Sequence, residues 1–132
     1  MHRKKSKGMI EAEISEAMIK FEKEYMGRGP LETRTYIVED MVIVRLTKVL
    51  TRAEEQLTRT AEGLALIKKV RVTLLEEARH LLEAIIKDIA DSQVLSMHTD
   101  ISTTTGERVI IFVLDRNLEE VLKKSIEKQR GF

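Results

Sequence analysis

Ile10, Ile14, Met18, Phe21 and Tyr25 recur at three- and four-residue intervals, which lays one apolar stripe along a first helix. Gly27 and Pro30 end it: glycine can take the left-handed conformation that closes the last carbonyls, and proline prevents the helix from resuming. The pattern then changes. Thr35-Tyr36-Ile37-Val38 and Met41-Val42-Ile43-Val44-Arg45-Leu46 are rich in β-branched and aromatic residues and are separated only by Glu39-Asp40. They predict an antiparallel hairpin, with Asp40 accommodating the tight turn. Thr51-x-x-Glu54 has the spacing of a capping box and predicts a helix start. In the second half, Leu74, Ala78, Leu82, Ile85 and Ile89 repeat the helical stripe and predict a long helix. Strands follow around Val94 to Ile101 and Val109 to Leu114, and a last helix runs from about Asn117.

These elements specify an α+β fold: a four-stranded, mainly antiparallel sheet from two hairpins, with helices packed on it. Residues 1–8 read as a basic flexible tail and 9–132 as a single domain. The stripes of the two halves coincide at a shift of about 64 residues, which suggests a helix-strand-strand-helix pseudo-repeat, 9–63 and 64–132, joined near Gly63. Chance matching of periodic patterns is the alternative. Met41 to Leu46 and Val109 to Leu114 are apolar on both faces, so something must cover the second face. Helices on both sides would do so; pairing of two chains would do so more simply, and a homodimer is expected.

Composition narrows the chemistry. The chain has no cysteine, which excludes disulfides, thiolate catalysis and cysteine zinc sites, and suits a reducing cytoplasm. No apolar run reaches the length of a membrane span, and the start lacks a signal-peptide core. Arg3, Lys4, Lys5 and Lys7 supply four of the 23 positive residues; the remaining 19 face 22 acids, leaving the body at −3. The tail could touch phosphate or anionic lipid or be simply solvated. With five aromatic residues and acids interleaved among Lys68, Lys69, Arg71 and Arg79, nucleic-acid binding is not expected. One Asn, three Gln and closely mixed charges lean towards a heat-stable protein.

Two groups of residues could carry chemistry. In Gly27-Arg28-Gly29-Pro30 an arginine stands between glycines, where backbone can approach a ligand and a planar fork of donors is available for an anion or a partner; Arg45 on the following hairpin could join it, and a solvated loop is the alternative. His98-x-Asp100 places both side chains on one face of a strand, a spacing open to a metal or to an oriented histidine, though a third ligand must come from elsewhere. Asp100 could equally hold N–H groups of the loop Ser102-Thr103-Thr104-Thr105-Gly106-Glu107. That loop reads as an ordinary polar connection. No phosphate-cradling or nucleophile motif is present, and no cofactor is expected.

Gly27-Arg28-Gly29-Pro30, then Tyr36-Ile37-Val38-x-Asp40 through Leu46, then Leu50-Thr51-x-x-Glu54 resemble the small prokaryotic MpsC-like family. Val70-Arg71, Asp100-Ile101-Ser102 and Phe112-Val113-Leu114 extend the resemblance from about Ile10 to Leu114. The family name implies a bacterial cation-translocating system that generates membrane potential, with membrane components similar to ion- or inorganic-carbon-transporting subunits. Three readings follow. The resemblance implies a non-catalytic accessory protein that docks through the Arg28 loop onto membrane-associated transport subunits, cytoplasmic or peripheral at the membrane. A sensor of a small anion or nucleotide would use Arg28 and Arg45. An enzyme would use His98 and Asp100.

Overall fold

The computed structural model describes residues 5–129. Helix α1 (Lys7–Tyr25) is followed by strands β1 (Glu32–Val38) and β2 (Met41–Thr47), then helices α2 (Arg52–Leu57), α3 (Ala61–Glu77) and α4 (Arg79–Ala90). Strands β3 (Val94–Ile101) and β4 (Arg108–Leu114) and helix α5 (Leu118–Gln129) complete the chain. All strand pairs are antiparallel, in the order β1-β2-β4-β3, so the second strand of each hairpin lies inside the sheet. This is the α+β fold with two hairpins that the pattern predicts. The two hairpins are laid out symmetrically in that order, while the expected join near Gly63 falls inside the first turn of α3.

Boundaries differ in detail. Ser6 caps α1, its hydroxyl accepting from the Met9 N–H at 3.2 Å, so the helix begins before residue 9; Arg3 and Lys4 of the expected tail lie outside the described residues. In the first hairpin it is Glu39, at φ 56°, that takes the left-handed conformation expected of Asp40. Its neighbours explain the tolerance: Glu39 N–H donates to the Glu119 carboxylate and its carbonyl accepts from Glu119 N–H, so the start of α5 holds the turn. Gly27 is left-handed as predicted, at φ 82°.

Inward side chains of all four strands meet α1, α3 and α4 and the first turns of α5 in one core. Burial alternates along the two strands that are apolar on both faces: Val42, Val44 and Leu46 of β2, and Ile110, Phe112 and Leu114 of β4, are buried while Ile43, Val109, Ile111 and Val113 are not. The stripes are corrected at two places. Tyr25 is 54% exposed and stacks on Phe21 at 5.0 Å, while Glu22 takes the inward position one four-residue step beyond Met18. The long second-half helix is interrupted at Ala78, where the backbone leaves helical angles. Ile67, Arg71 and Leu75 point inward before it and Leu82 and Ile86 after it, the seven residues from Leu75 to Leu82 keeping one phase across the interruption, while Leu74 points to solvent.

The other sheet face carries Tyr36, Val38, Met41, Ile43, Val109, Ile111 and Val113, all half-exposed or exposed, and none belongs to the core. Helices therefore cover one face of the sheet among the described residues, not both.

Candidate partner-binding site

The Gly27–Pro30 loop does not stand free. Arg28 is half-buried, and its Nη1 donates to the Leu50 carbonyl at 2.7 Å, in the connection between β2 and α2. The neighbouring Val49 carbonyl accepts from Arg71 Nη2 at 2.9 Å, so arginines from two separate parts of the chain hold two successive carbonyls. One residue further, Thr51 and Glu54 form the predicted capping box: Thr51 Oγ1 accepts from Glu54 N–H, and Glu54 Oε1 accepts from Thr51 N–H at 2.9 Å. Glu54 does more than cap. Both of its oxygens accept from the Arg71 guanidinium, a bidentate pairing, with Nε to Oε2 at 2.8 Å.

Behind this clasp lies a buried ionic cluster. Glu22, Arg71 and Arg108 are each 1% exposed. Glu22 Oε2 lies 3.6 Å from Arg71 Nη1 and Oε1 lies 3.6 Å from Arg108 Nε; Arg108 also donates to Arg71 O and Thr99 Oγ1, both at 3.4 Å. With the part-exposed Glu54, two carboxylates and two guanidiniums thus balance, three of the four groups being buried. Burial pushes the Glu22 carboxyl above its ordinary value, against the pull of Arg108 and Arg71. Burial lowers Arg108, opposed by Glu22. Burial also resists ionisation of Glu54, but hydrogen bonds from Arg71 and Thr51 outweigh it and leave its carboxyl below the ordinary range. Burying charge is tolerable only when each group is paired, and here the pairing draws α1, α2, α3 and β4 to one point.

Sequence reasoning singled out Arg28, Thr51 and Glu54 but did not join them to Glu22, Arg71 and Arg108. The signal was present. Each of the three occupies the apolar phase of its own element: Glu22 after Ile14 and Met18, Arg71 between Ile67 and Leu75, Arg108 two residues before Ile110. Also unanticipated was Leu31, directly after the loop; at 70% it is the most exposed large hydrophobic side chain among the described residues. Leu31 N–H donates to Thr47 O, so its backbone is fixed while its side chain faces water.

The remaining candidates lie elsewhere. Arg45 is exposed on the open sheet face and donates to Glu107 through Nε and Nη2, at 3.2 and 2.7 Å. His98 and Asp100 are both exposed on β3, on one face as predicted. His98 Nε2 lies 3.1 Å from Ser96 Oγ, in a depression shared with Val72, Glu76 and Arg79. Asp100 accepts from Ile101 N–H at 2.8 Å and lies 3.6 Å from Lys68, beside a second depression lined by Ser102, Thr103 and Thr104. No cluster of three or more potential metal ligands occurs among the described residues. Two of the loop hydroxyls bond the loop itself, Ser102 Oγ accepting from Thr105 N–H and Thr105 Oγ1 from Glu107 N–H.

Three of the sequence pieces that carry the family resemblance, Gly27–Pro30, Leu50–Glu54 and Val70-Arg71, therefore meet in one place. The family model described as "Na+-translocating membrane potential-generating system (MpsC)" matches residues 6–116. The uncharacterized protein YbcI of Bacillus subtilis is 46% identical over 121 residues, covering 92% of this chain and 98% of YbcI. A second uncharacterized protein of that organism, YrhF, is 26% identical over 110 residues, covering 82% and 89% of the two chains. No solved structure matches the chain. By the extent of the family match and the identity to YbcI, the chain belongs to the MpsC family.

Proposed function

We propose that this chain is a non-catalytic accessory or regulatory component of an ion- or inorganic-carbon-translocating system that affects membrane potential, and that it docks through the Arg28 loop at the cytoplasmic face. The family description supports the setting. No helix among the described residues is long and apolar enough to cross a membrane, which accords with docking rather than spanning.

The observation that carries the choice of surface is that Arg28 and Leu31 lie within four residues of one anchored segment. An arginine fork held at one corner by Leu50 O is followed three residues on by an unusually exposed leucine on a fixed backbone. An anchored arginine and an apolar side chain on a pre-ordered loop are the elements of a small interaction hot spot. Arg45, taken up by Glu107, does not extend that site, which favours a protein partner over a small anion shared by two arginines. In this reading the docking unit is a pair of chains, joined by a surface away from the loop.

The test is affinity purification of the tagged protein from gently solubilised native membranes, with Arg28→Glu as matched control. The loop reading expects ion-transport subunits with the wild type and their loss with Arg28→Glu, while circular dichroism and melting show a folded protein. Equal recovery with both proteins would remove the loop from the account.

A further inference from the structure

The uncovered sheet face has a charge layout that identifies its occupant. Following the strand register, Arg34 pairs with Arg45, Arg45 with Val109, and Val109 with Asp100, so one row across the sheet runs from two cations at β1 and β2 to an anion at β3. The next outward-facing row is Tyr36, Ile43, Ile111 and His98, and the one beyond is Val38, Met41, Val113 and Ser96. The face is thus apolar over its centre, with opposite charges at opposite edges of one row.

From that layout we infer that the open face is the homodimer interface, with two copies packed sheet on sheet about a two-fold axis running parallel to the strands between β2 and β4. Such an axis exchanges left and right within a row and leaves the row unchanged. Arg34 then lies opposite the partner's Asp100, and Asp100 opposite the partner's Arg34. Ile43 meets the partner's Ile111, and Met41 meets the partner's Val113. Arg45, already neutralised by Glu107 at 2.7 Å, faces the partner's Val109 with its aliphatic stem. A two-fold axis in the same plane but across the strands would exchange rows instead. It would set Arg34 and Arg45 against apolar Val38 and Met41 and Asp100 against Ser96, so that no charge on one copy would meet an opposite charge on the other. Charge complementarity selects the first arrangement, and an unrelated protein would have no reason to match it.

Sheets packed face to face lie about 10 Å apart, a gap that an arginine reaching towards an aspartate spans. In the single chain Arg34 leans on Glu32 at 2.5 Å and Asp100 lies 3.6 Å from Lys68; all four side chains are well exposed, so these pairings yield readily to a second copy. Seven-residue strands and four-strand width give a face of about 24 by 19 Å, so the pair buries on the order of 1,000 Å² in total, near the lower bound for specific association. The dimer is therefore expected to be concentration-dependent. The inference rests on the pairing of chains named above and not on the Arg28 loop.

Sedimentation equilibrium over a concentration series tests it, with the oligomeric state as the readout and circular dichroism as the check on folding. The wild type is expected to rise from the 15.2 kDa monomer towards twice that mass. Arg34→Glu and Asp100→Arg, each placing two like-charge pairs across the axis, are expected to weaken the dimer about tenfold or more. Arg34→Glu combined with Asp100→Arg restores it, and Ile111→Glu at the centre abolishes it. Arg28→Glu leaves the mass unchanged, which separates this surface from the docking loop. A wild type that stays monomeric at the highest concentration, folded single variants that dimerise like wild type, or a double variant without rescue would each overturn the interface.

Discussion

Replacing Arg71 by alanine tests whether the ionic cluster holds the clasp together. The substitution removes a bidentate pair with Glu54, the hydrogen bond to Val49 O and one of the two cations facing Glu22, all from a residue 1% exposed. Breaking a buried ion pair by deleting one partner costs about 3–5 kcal/mol, because the remaining charge stays desolvated. At the usual unfolding entropy per residue, a chain of this size loses about 4 °C of Tm per kcal/mol, so the expected fall is about 12–20 °C. Against a total of about 5–15 kcal/mol that is severe, so Arg71→Lys serves as a milder companion that keeps the charge and loses the fork. Urea unfolding followed by circular dichroism gives the stabilities, and a cycle with Glu54→Gln isolates the pair. A loss below about 1 kcal/mol for Arg71→Ala, or no coupling in the cycle, would refute the reasoning.

Two further outcomes follow from the same geometry. The Glu54 carboxyl lies below its ordinary value of 4.5, so its contribution is present above pH 4.5 and is lost as pH falls through the lower folded value. Glu54→Gln should therefore lose less stability than wild type across that acid range, measured by thermal melts in a pH series; equal losses would count against it. The raised Glu22 carboxyl has the opposite sign, gaining stability as pH falls towards 4.5, and Glu22→Gln should lack that gain. Among the glycines, a Cβ on Gly63 would lie 2.0 Å from the Leu57 carbonyl oxygen, whereas one on Gly8 meets nothing within 4 Å. Gly63→Ala is expected to cost about 2 kcal/mol or more, and Gly8→Ala, in the first turn of α1, to be neutral or to add up to about 1 kcal/mol. Urea titration of both variants checks the contrast, and similar stabilities would show that the α2–α3 turn relaxes freely.

The elements were legible because their signals are local. The apolar period of α1, the β-branched runs of β2 and β4, the left-handed glycine at 27 and the capping box at 51–54 each depend on a few neighbouring residues. What failed depends on distant ones. Glu39 adopts a conformation that a glutamate rarely takes because Glu119, far along the chain, bonds both its N–H and its carbonyl. Leu75, not Leu74, continues the inward series of Ile67 and Arg71, and the charged residue in the middle of that series hides its phase from an apolar pattern. The candidate site was half legible. The loop and the cap were visible as motifs, while Glu22, Arg71 and Arg108 read as ordinary surface charges until the fold closed them on one another. Charges set in the apolar phase of three separate elements, with signs that cancel, were the available clue.

The central claim is that the Arg28 loop is the surface presented to a membrane transport system, and site-specific photocross-linking tests it most directly. A photoreactive side chain placed at Leu31, beside the loop, is compared in native membranes with one at Leu57, which is also exposed but lies on α2. The account predicts an adduct with an ion-transport subunit from position 31, absent from position 57 and abolished when Arg28→Glu is added. No adduct from position 31, or the same adduct from both positions regardless of Arg28, would contradict it.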